Sequence, residues 1–424
     1  MNKIQLFRQS ILLLALSSGF TCAAELDMPD LPPASNVASA LDNHVMVLNA
    51  ASNLKLEQAN QRKWNSGNYE FNLRAGSARR SVSSTGQKLG EWDVALERPL
   101  RLPNKVSLDQ EIGMANVAHA DFALGDARHE AGRLLLKLWF DWEREQAQVN
   151  LWLNQIDLYQ KQVDTVTKRI KAGDAAKMEL NQAQVMVTQA IVTSQQAQLR
   201  AQLASNALRR EFPSIQLEDD LSPSMPTSIE QDYAYWQARI LDDNHELGMA
   251  IEHNHVQQLL AQRSHADQIP DPIVGARFSS EVGGSEKVAG VYVSVPLSFG
   301  QRNASAEIAT QQANIAADQL AFVHRRLESD VNSTYRQAVN SYTNWQKARE
   351  AAIAMRNNAL LVSKAYSLGE GSLTDSLAAR RYALDASLAE TLAQLDANES
   401  RYRLLLDSHQ LWAQDEHATN NEQH

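Results

Sequence analysis

Two stretches, residues 105–172 and 301–368, carry an apolar rhythm of helical period without a single proline. At 1.5 Å per residue, roughly 68 residues make a rod of about 100 Å, several times an ordinary globular helix. In the first, Val149, Leu153, Ile156, Tyr159, Val163, Val166 and Ile170 follow one another at steps of three and four. That stripe has heptad character and is built to pack sideways on other helices. Glu143, Arg144, Glu145, Asp157, Lys161 and Asp164 interrupt it, so the rod cannot be a membrane span. Whatever else the chain does, it must join these rods and cap their ends.

Residues 1–24 read as a signal peptide. Lys3 and Arg8 form the positive region, Ile11 to Phe20 the apolar core, and small residues up to Ala24 the cleavage site. The single cysteine, Cys22, lies inside this segment, and the residues before it fit a lipidation signal poorly. The mature chain would then have no disulfide and no thiolate site. A length of 424 residues allows two or three ordinary domains or one elongated one. The net charge of −10 argues against a nucleic-acid partner.

Between the helical stretches the period changes twice from helical to two. Over residues 69–97, Tyr69, Phe71, Leu73, Ala75, Trp92, Val94 and Leu96 alternate with Glu70, Asn72, Arg74, Glu91, Asp93 and Glu97. Over residues 273–297, Val274, Ala276 and Phe278, then Val291, Val293 and Val295, do the same around a Gly283-Gly284 turn. Each reads as a two-faced hairpin. The rest reads as helices: 35–64 before the first hairpin, 178–210 after the first rod, 229–266 before the second hairpin, and one from the second rod's turn to about Trp412.

The halves repeat. Pro99-Leu100 recurs as Pro296-Leu297 and Lys105 as Arg302 at one common offset, and Gly173 recurs as Gly369 at an offset one residue shorter. The chain divides into a first repeat at 25–212, a proline-marked linker at 213–226, a second repeat at 227–413 and a polar tail at 414–424. Each repeat is helix, hairpin, long helix, tight turn, returning helix, and such duplication is a strong organisational signal.

Four strands of about 10 residues with alternating polarity carry the signature of a transmembrane β-barrel, yet four cannot close one, since about 8 is the practical minimum. In lipid their edges must be satisfied, so other chains must add strands. The polar partners Glu70, Glu91, Asp93 and Glu97 would then face the lumen, and Tyr69 and Trp92 could join an aromatic girdle. A soluble coiled-coil scaffold or adaptor is the rival reading. It explains the rods but not two matched hairpins isolated among helices.

The sequence resembles the TolC-like outer-membrane efflux proteins over nearly the whole mature chain. The resemblance rests on the duplicated topology and on two tip signatures. These are Arg169-Ile170-Lys171-Ala172-Gly173 followed by Glu179-Leu180-Asn181-Gln182, and Ala365-Tyr366-Ser367-Leu368-Gly369-Glu370 followed by Asp375-Ser376-Leu377. The segments Pro270-Asp271-Pro272-Ile273 and Val291-Tyr292-Val293-Ser294-Val295-Pro296-Leu297 look like its cobalt–zinc–cadmium branch. The resemblance implies a homotrimer with a 12-stranded outer-membrane barrel and a helical tunnel through the periplasm. It also implies a periplasmic adaptor and an inner-membrane RND-type transporter as partners, and passive export of divalent metals, with drugs or secreted protein as the alternative cargo. Adaptor contact would fall on Ala172, Gly173, Leu368, Gly369 and Gly371. Pore-narrowing acids would be Asp375, Glu370, Asp174 and Glu179, although Asp174, Glu370 and Asp375 also lie within about a turn of a helix start, where acids are favoured anyway.

His245, His253, His255 and His265 do not share one helical face and read as surface histidines rather than a metal site. No phosphate loop, metalloprotease motif or nucleophile elbow is present, so neither an enzyme nor a cofactor is expected.

Overall fold

The structure is a computed structural model that describes residues 28–67, 69–217, 223–297 and 299–412. The expected signal peptide, Cys22 and the tail at 414–424 lie outside the described residues.

Pro103 opens the first rod, where its fixed φ and missing N–H cost nothing. From there α3 runs Pro103–Lys171 without a break, and its counterpart α7 runs Phe299–Ser367. Each has 69 residues. The returning helices α4, Lys177–Glu211, and α8, Leu373–Asp407, have 35 residues each. Four strands lie at the N-terminal end of the rods: β1 Asn72–Ser81, β2 Lys88–Pro99, β3 Ile273–Glu281 and β4 Glu286–Ser294. They form one antiparallel sheet in sequence order, the two hairpins joined through β2 and β3. The fold is therefore mainly α, long helical hairpins carrying a four-stranded sheet.

The short helices differ from the expectation. Residues 35–64 form two helices, α1 Ala34–Asp42 and α2 Val45–Ser66, and residues 229–266 form α5 Tyr233–Asp242 and α6 His245–Ala266. Side-chain caps restart each helix. The His44 ring nitrogen accepts from Met46 N at 3.4 Å, and Asn244 Oδ1 accepts from Leu247 N at 2.8 Å. The last helix stops at Asp407 rather than near Trp412. His409 turns left-handed at φ 58°, and Gln410 N–H caps the Leu405 carbonyl at 2.8 Å.

The main core sits midway along the rods. Leu135, Leu136, Trp139 and Phe140 of α3 pack there with Leu208, Phe212, Trp236, Ile240, Tyr402 and Leu404. Within the expected linker at 213–226, described residues pack on this core. Ile215 is buried, and Ser224 binds the buried Asp30 carboxylate through N (2.6 Å) and Oγ (2.5 Å), where Tyr402 Oη also donates at 2.9 Å. Such a carboxylate is tolerated because its lone pairs are filled.

Between core and sheet, the side chain of Lys105 is fully buried. Its Nζ reaches Asp267 at 2.9 Å, Asp271 at 3.0 Å and the Ile269 carbonyl at 2.8 Å. The equivalent Arg302 donates to the Asp267 carbonyl at 2.7 Å. This knot fixes the sheet on the rods. Tyr69 belongs to it, donating to Asp271 at 2.9 Å with the Arg101 guanidinium over its ring, and so lies at the junction rather than in an outward girdle.

Candidate functional site

The charged and exposed features the sequence singled out lie at the two ends of the molecule. At the tip end, α3 closes on three basic residues, Lys168, Arg169 and Lys171, which suit the negative end of its dipole. Gly173 then takes φ 78°. Asp174 N–H reaches back to the Arg169 carbonyl at 2.9 Å. The other tip repeats this, with Gly369 at φ 80° and Glu370 N–H on the Ala365 carbonyl at 2.9 Å. A Cβ at either glycine would meet nothing within 4 Å, so the left-handed turn, not lack of room, requires glycine.

A tie joins the two hairpins here. Arg169 holds Asp174 through Nε–Oδ2 at 3.0 Å, and its guanidinium lies 4.8 Å from the centroid of the Tyr366 ring. Tyr366, buried at the end of α7, donates its hydroxyl to Glu179 Oε2 of α4 at 2.6 Å. Burial first, then the Glu179 carboxylate, pushes the phenol up to about 12, so it stays a donor at any physiological pH. Below them Tyr159, Val166, Ala190, Leu373 and Leu377 form a small apolar cluster.

Thus Asp174 and Glu179 are brought together around Arg169 and Tyr366. Asp375 belongs to the cap of its own helix: the N-cap Ser372 accepts from Asp375 N at 3.0 Å through Oγ and donates to the Asp375 carboxylate at 2.7 Å. Glu370 on the α7–α8 turn and Asp375 in the first turn of α8 are both exposed. Ala172, Gly173, Leu368, Gly369 and Gly371 form the exposed outer surface of the two turns. The tie's central pair, Arg169 and Tyr366, escaped the sequence reading as functional residues. The available signal was position, since each lies within about one turn of its glycine.

At the sheet end the register sorts the side chains into two faces. Leu73, Leu96, Ala276 and Val291 form one cross-strand row, and Ala75, Val94, Phe278 and Ala289 the next. This face is apolar and unpartnered: Leu73 is 69% and Val291 85% exposed. The opposite face carries Glu91, Asp93 and Glu97 among Asn72, Arg74, Arg277, Ser279 and Tyr292. Glu97 accepts from Asn72 at 3.0 Å and from Tyr292 at 2.7 Å, and Glu91 binds Arg80 at 2.5 Å and Val282 N at 3.0 Å. Glu70 precedes β1 and belongs to neither face of the strand. β1 and β4 each pair on one side only, so the sheet ends in two open edges.

Helix surfaces are also left open. On α4, Met178, Val185, Val192 and Leu199 recur every seventh residue and are all about half exposed or more. On α7, Ile308, Ile315 and Phe322 do the same. Among the described residues no helix is long and apolar enough to cross a membrane, and no group of three His, Cys, Asp or Glu is placed to hold a metal. His255 faces Glu252 at 3.4 Å and His265 faces Thr310 at 3.1 Å, so these histidines do not converge.

No protein-family model matches the sequence, and comparison with curated proteins finds no match. Solved structures do match. The chain is similar to the outer-membrane channel OprN (TM-score 0.71, 16% identity, 89% of this chain and 90% of that one). It is also similar to the CmeC outer-membrane channel of Campylobacter jejuni (0.68, 16%, 90% and 86%) and to CusC (0.67, 13%, 89% and 91%). Long paired helices, a four-stranded sheet with one apolar and one polar face, and near-complete mutual coverage give this chain the fold of the TolC-like outer-membrane channels.

Proposed function

We propose that the protein is the outer-membrane exit duct of a tripartite efflux pump and works as a homotrimer. The observation that carries this reading is the sheet. One face is apolar and bare, the other charged, and both edges are open. In water the bare face would be a large apolar patch of the kind that marks an interaction surface. In lipid it is required, and only a closed barrel satisfies the edges. Three copies supply 12 strands. The heptad stripes of α4 and α7 are suited to bury one copy's helices against the next, as a/d seams do.

The mechanism is passive. Cargo enters at the tips and leaves through the barrel, and no bond is made or broken. Asp375 and Glu370, exposed and repeated three times round an axis, would attract cations weakly enough to let them go. The Arg169–Tyr366–Glu179 tie would hold the two hairpins of each copy together at the entrance, so widening it means breaking the tie. A periplasmic adaptor is taken to grip the turns at Ala172–Gly173 and Leu368–Gly371, with an RND-type transporter behind it. The cargo we assign, from the branch resemblance, is divalent metal cations. A strain lacking the gene should become sensitive to cobalt, zinc or cadmium salts. Unchanged resistance to all three would reassign the cargo but leave the duct standing.

Membrane fractionation with heat-modified gel mobility tests the duct itself. The protein should partition with outer membranes and migrate as a compact oligomer until boiled. Recovery in the soluble periplasmic fraction would favour the scaffold reading.

A further inference from the structure

The polar face of the sheet is not uniformly acidic. One cross-strand row reads Arg74, Ala95, Arg277, Gly290. It holds two cations and no acid, and its other members are the smallest side chains available. Ala95, between the two arginines in the row, is only 1% exposed. Beside this row lies an open cavity of about 400 Å³ lined by Arg74, Arg277, Ser279, Gly290 and Tyr292 together with Val288 and Val291, with no carboxylate in its wall. The acids of the neighbouring rows are turned to other work. Glu97 is held by Asn72 and Tyr292, and Asp93 forms a long ion pair with Arg277 at 3.8 Å, which leaves Arg74 as the row's free cation. Arg74 makes no hydrogen bond or ion pair among the described residues.

A guanidinium keeps its charge under all conditions and offers five N–H donors in a fork that matches carboxylate and phosphate oxygens. Two such forks over a floor of alanine and glycine have room to close on one anion from both sides. We propose that this row is an anion-binding girdle in the barrel lumen, taking multivalent oxyanions such as polyphosphates or polycarboxylates. The inference rests on the duct reading, which makes the polar face a lumen and repeats the row three times, setting six guanidinium groups round the pore. Ringed basic side chains of this kind bind and select anions in other pores. A free divalent cation arriving from the acidic tips would be disfavoured at the girdle and would cross it paired with such an anion. The wide end of the duct then has the opposite preference from the narrow end.

The full-length protein reconstituted in planar bilayers gives the test, with inorganic tripolyphosphate as the probe on the barrel side. The wild-type current should be blocked, and Arg74→Gln with Arg277→Gln should raise the half-blocking concentration on the order of tenfold or more. Arg74→Lys with Arg277→Lys keeps the charge but loses the fork, and should fall between the two. The single Arg74→Gln variant, which removes only the unpaired cation, gives the same reading if the double variant does not assemble. Equal block in wild type and the glutamine variants, or no block of the wild type at all, overturns the girdle. A reconstituted wild type that conducts nothing overturns the duct reading itself and the girdle with it.

Discussion

At the scale of single residues, the most exposed assumption is that Tyr366 acts as a tie and not only as filler. Tyr366→Phe keeps the ring under Arg169 and removes only the hydroxyl that reaches Glu179. A hydrogen bond to a charged group is worth roughly 1.5–3 kcal/mol. The variant should therefore assemble normally but show larger or more frequent open currents in bilayers. Currents identical to wild type would leave Tyr366 a packing residue. Asp375 has the opposite ambiguity, because its bonds to Ser372 are those of a helix start. Asp375→Asn combined with Glu370→Gln should lower cation selectivity, measured as a reversal potential across a salt gradient, without loss of the oligomer. If the potential does not move, these acids serve their helices only. Glu143 makes a third case, away from both ends. Its buried Oε2 has no hydrogen-bond partner, and burial, then the Asp30 charge, pushes its carboxyl up to about 8. Between an unfolded value near 4.5 and that folded value, the folded state holds more protons than the unfolded one, so stability falls as pH rises through this window. Glu143→Gln should remove that penalty and stabilise the protein at pH 8 by on the order of 1–3 kcal/mol, read as a higher melting temperature, with little gain at pH 5. A variant that melts below wild type at pH 8 would show that the carboxylate is satisfied there.

At the scale of elements, the strands were readable because apolar residues alternate strictly with polar or small ones, a period of two that a helix does not produce. The pairing of β2 with β3 then aligns Val94 with Phe278 and Asp93 with Ser279, so both hairpins turn the same kind of face to the same side. Val94→Arg should cost about 2–4 kcal/mol if the residue sits near the bilayer midplane, and should deplete the protein from outer membranes; Asp93→Asn, on the other face, should be tolerated. Equal depletion by both, followed by immunoblot of the outer-membrane fraction, would mean the faces are misassigned. The rods were equally plain, since nothing in residues 105–172 or 301–368 could stop a helix. The breaks at His44 and Asn244 were not. The apolar rhythm runs on across them, and the interruption is made by side chains that cap the following helix. The tip tie was hidden for a different reason. Tyr366 and Glu179 lie 187 residues apart on separate hairpins, and no local pattern announces such a contact. Nor could the sequence show that Arg74 and Arg277 share a row, because that depends on how the two hairpins join.

At the scale of the whole molecule, the chain is a set of surfaces that it cannot cover alone. The sheet lacks neighbours at both edges, its apolar face is bare, and the heptad stripes of α4 and α7 lie open. Each gap would be filled by another copy or by lipid, and the proposed threefold ring in a membrane would fill them together. The girdle, the acidic turns and the hairpin tie all take their meaning from that ring. The mass of the protein extracted from outer membranes in mild detergent tests it most directly. Three copies per particle is the predicted result. A stable monomer inserted in the membrane would leave the strand edges unsatisfied and would contradict the barrel.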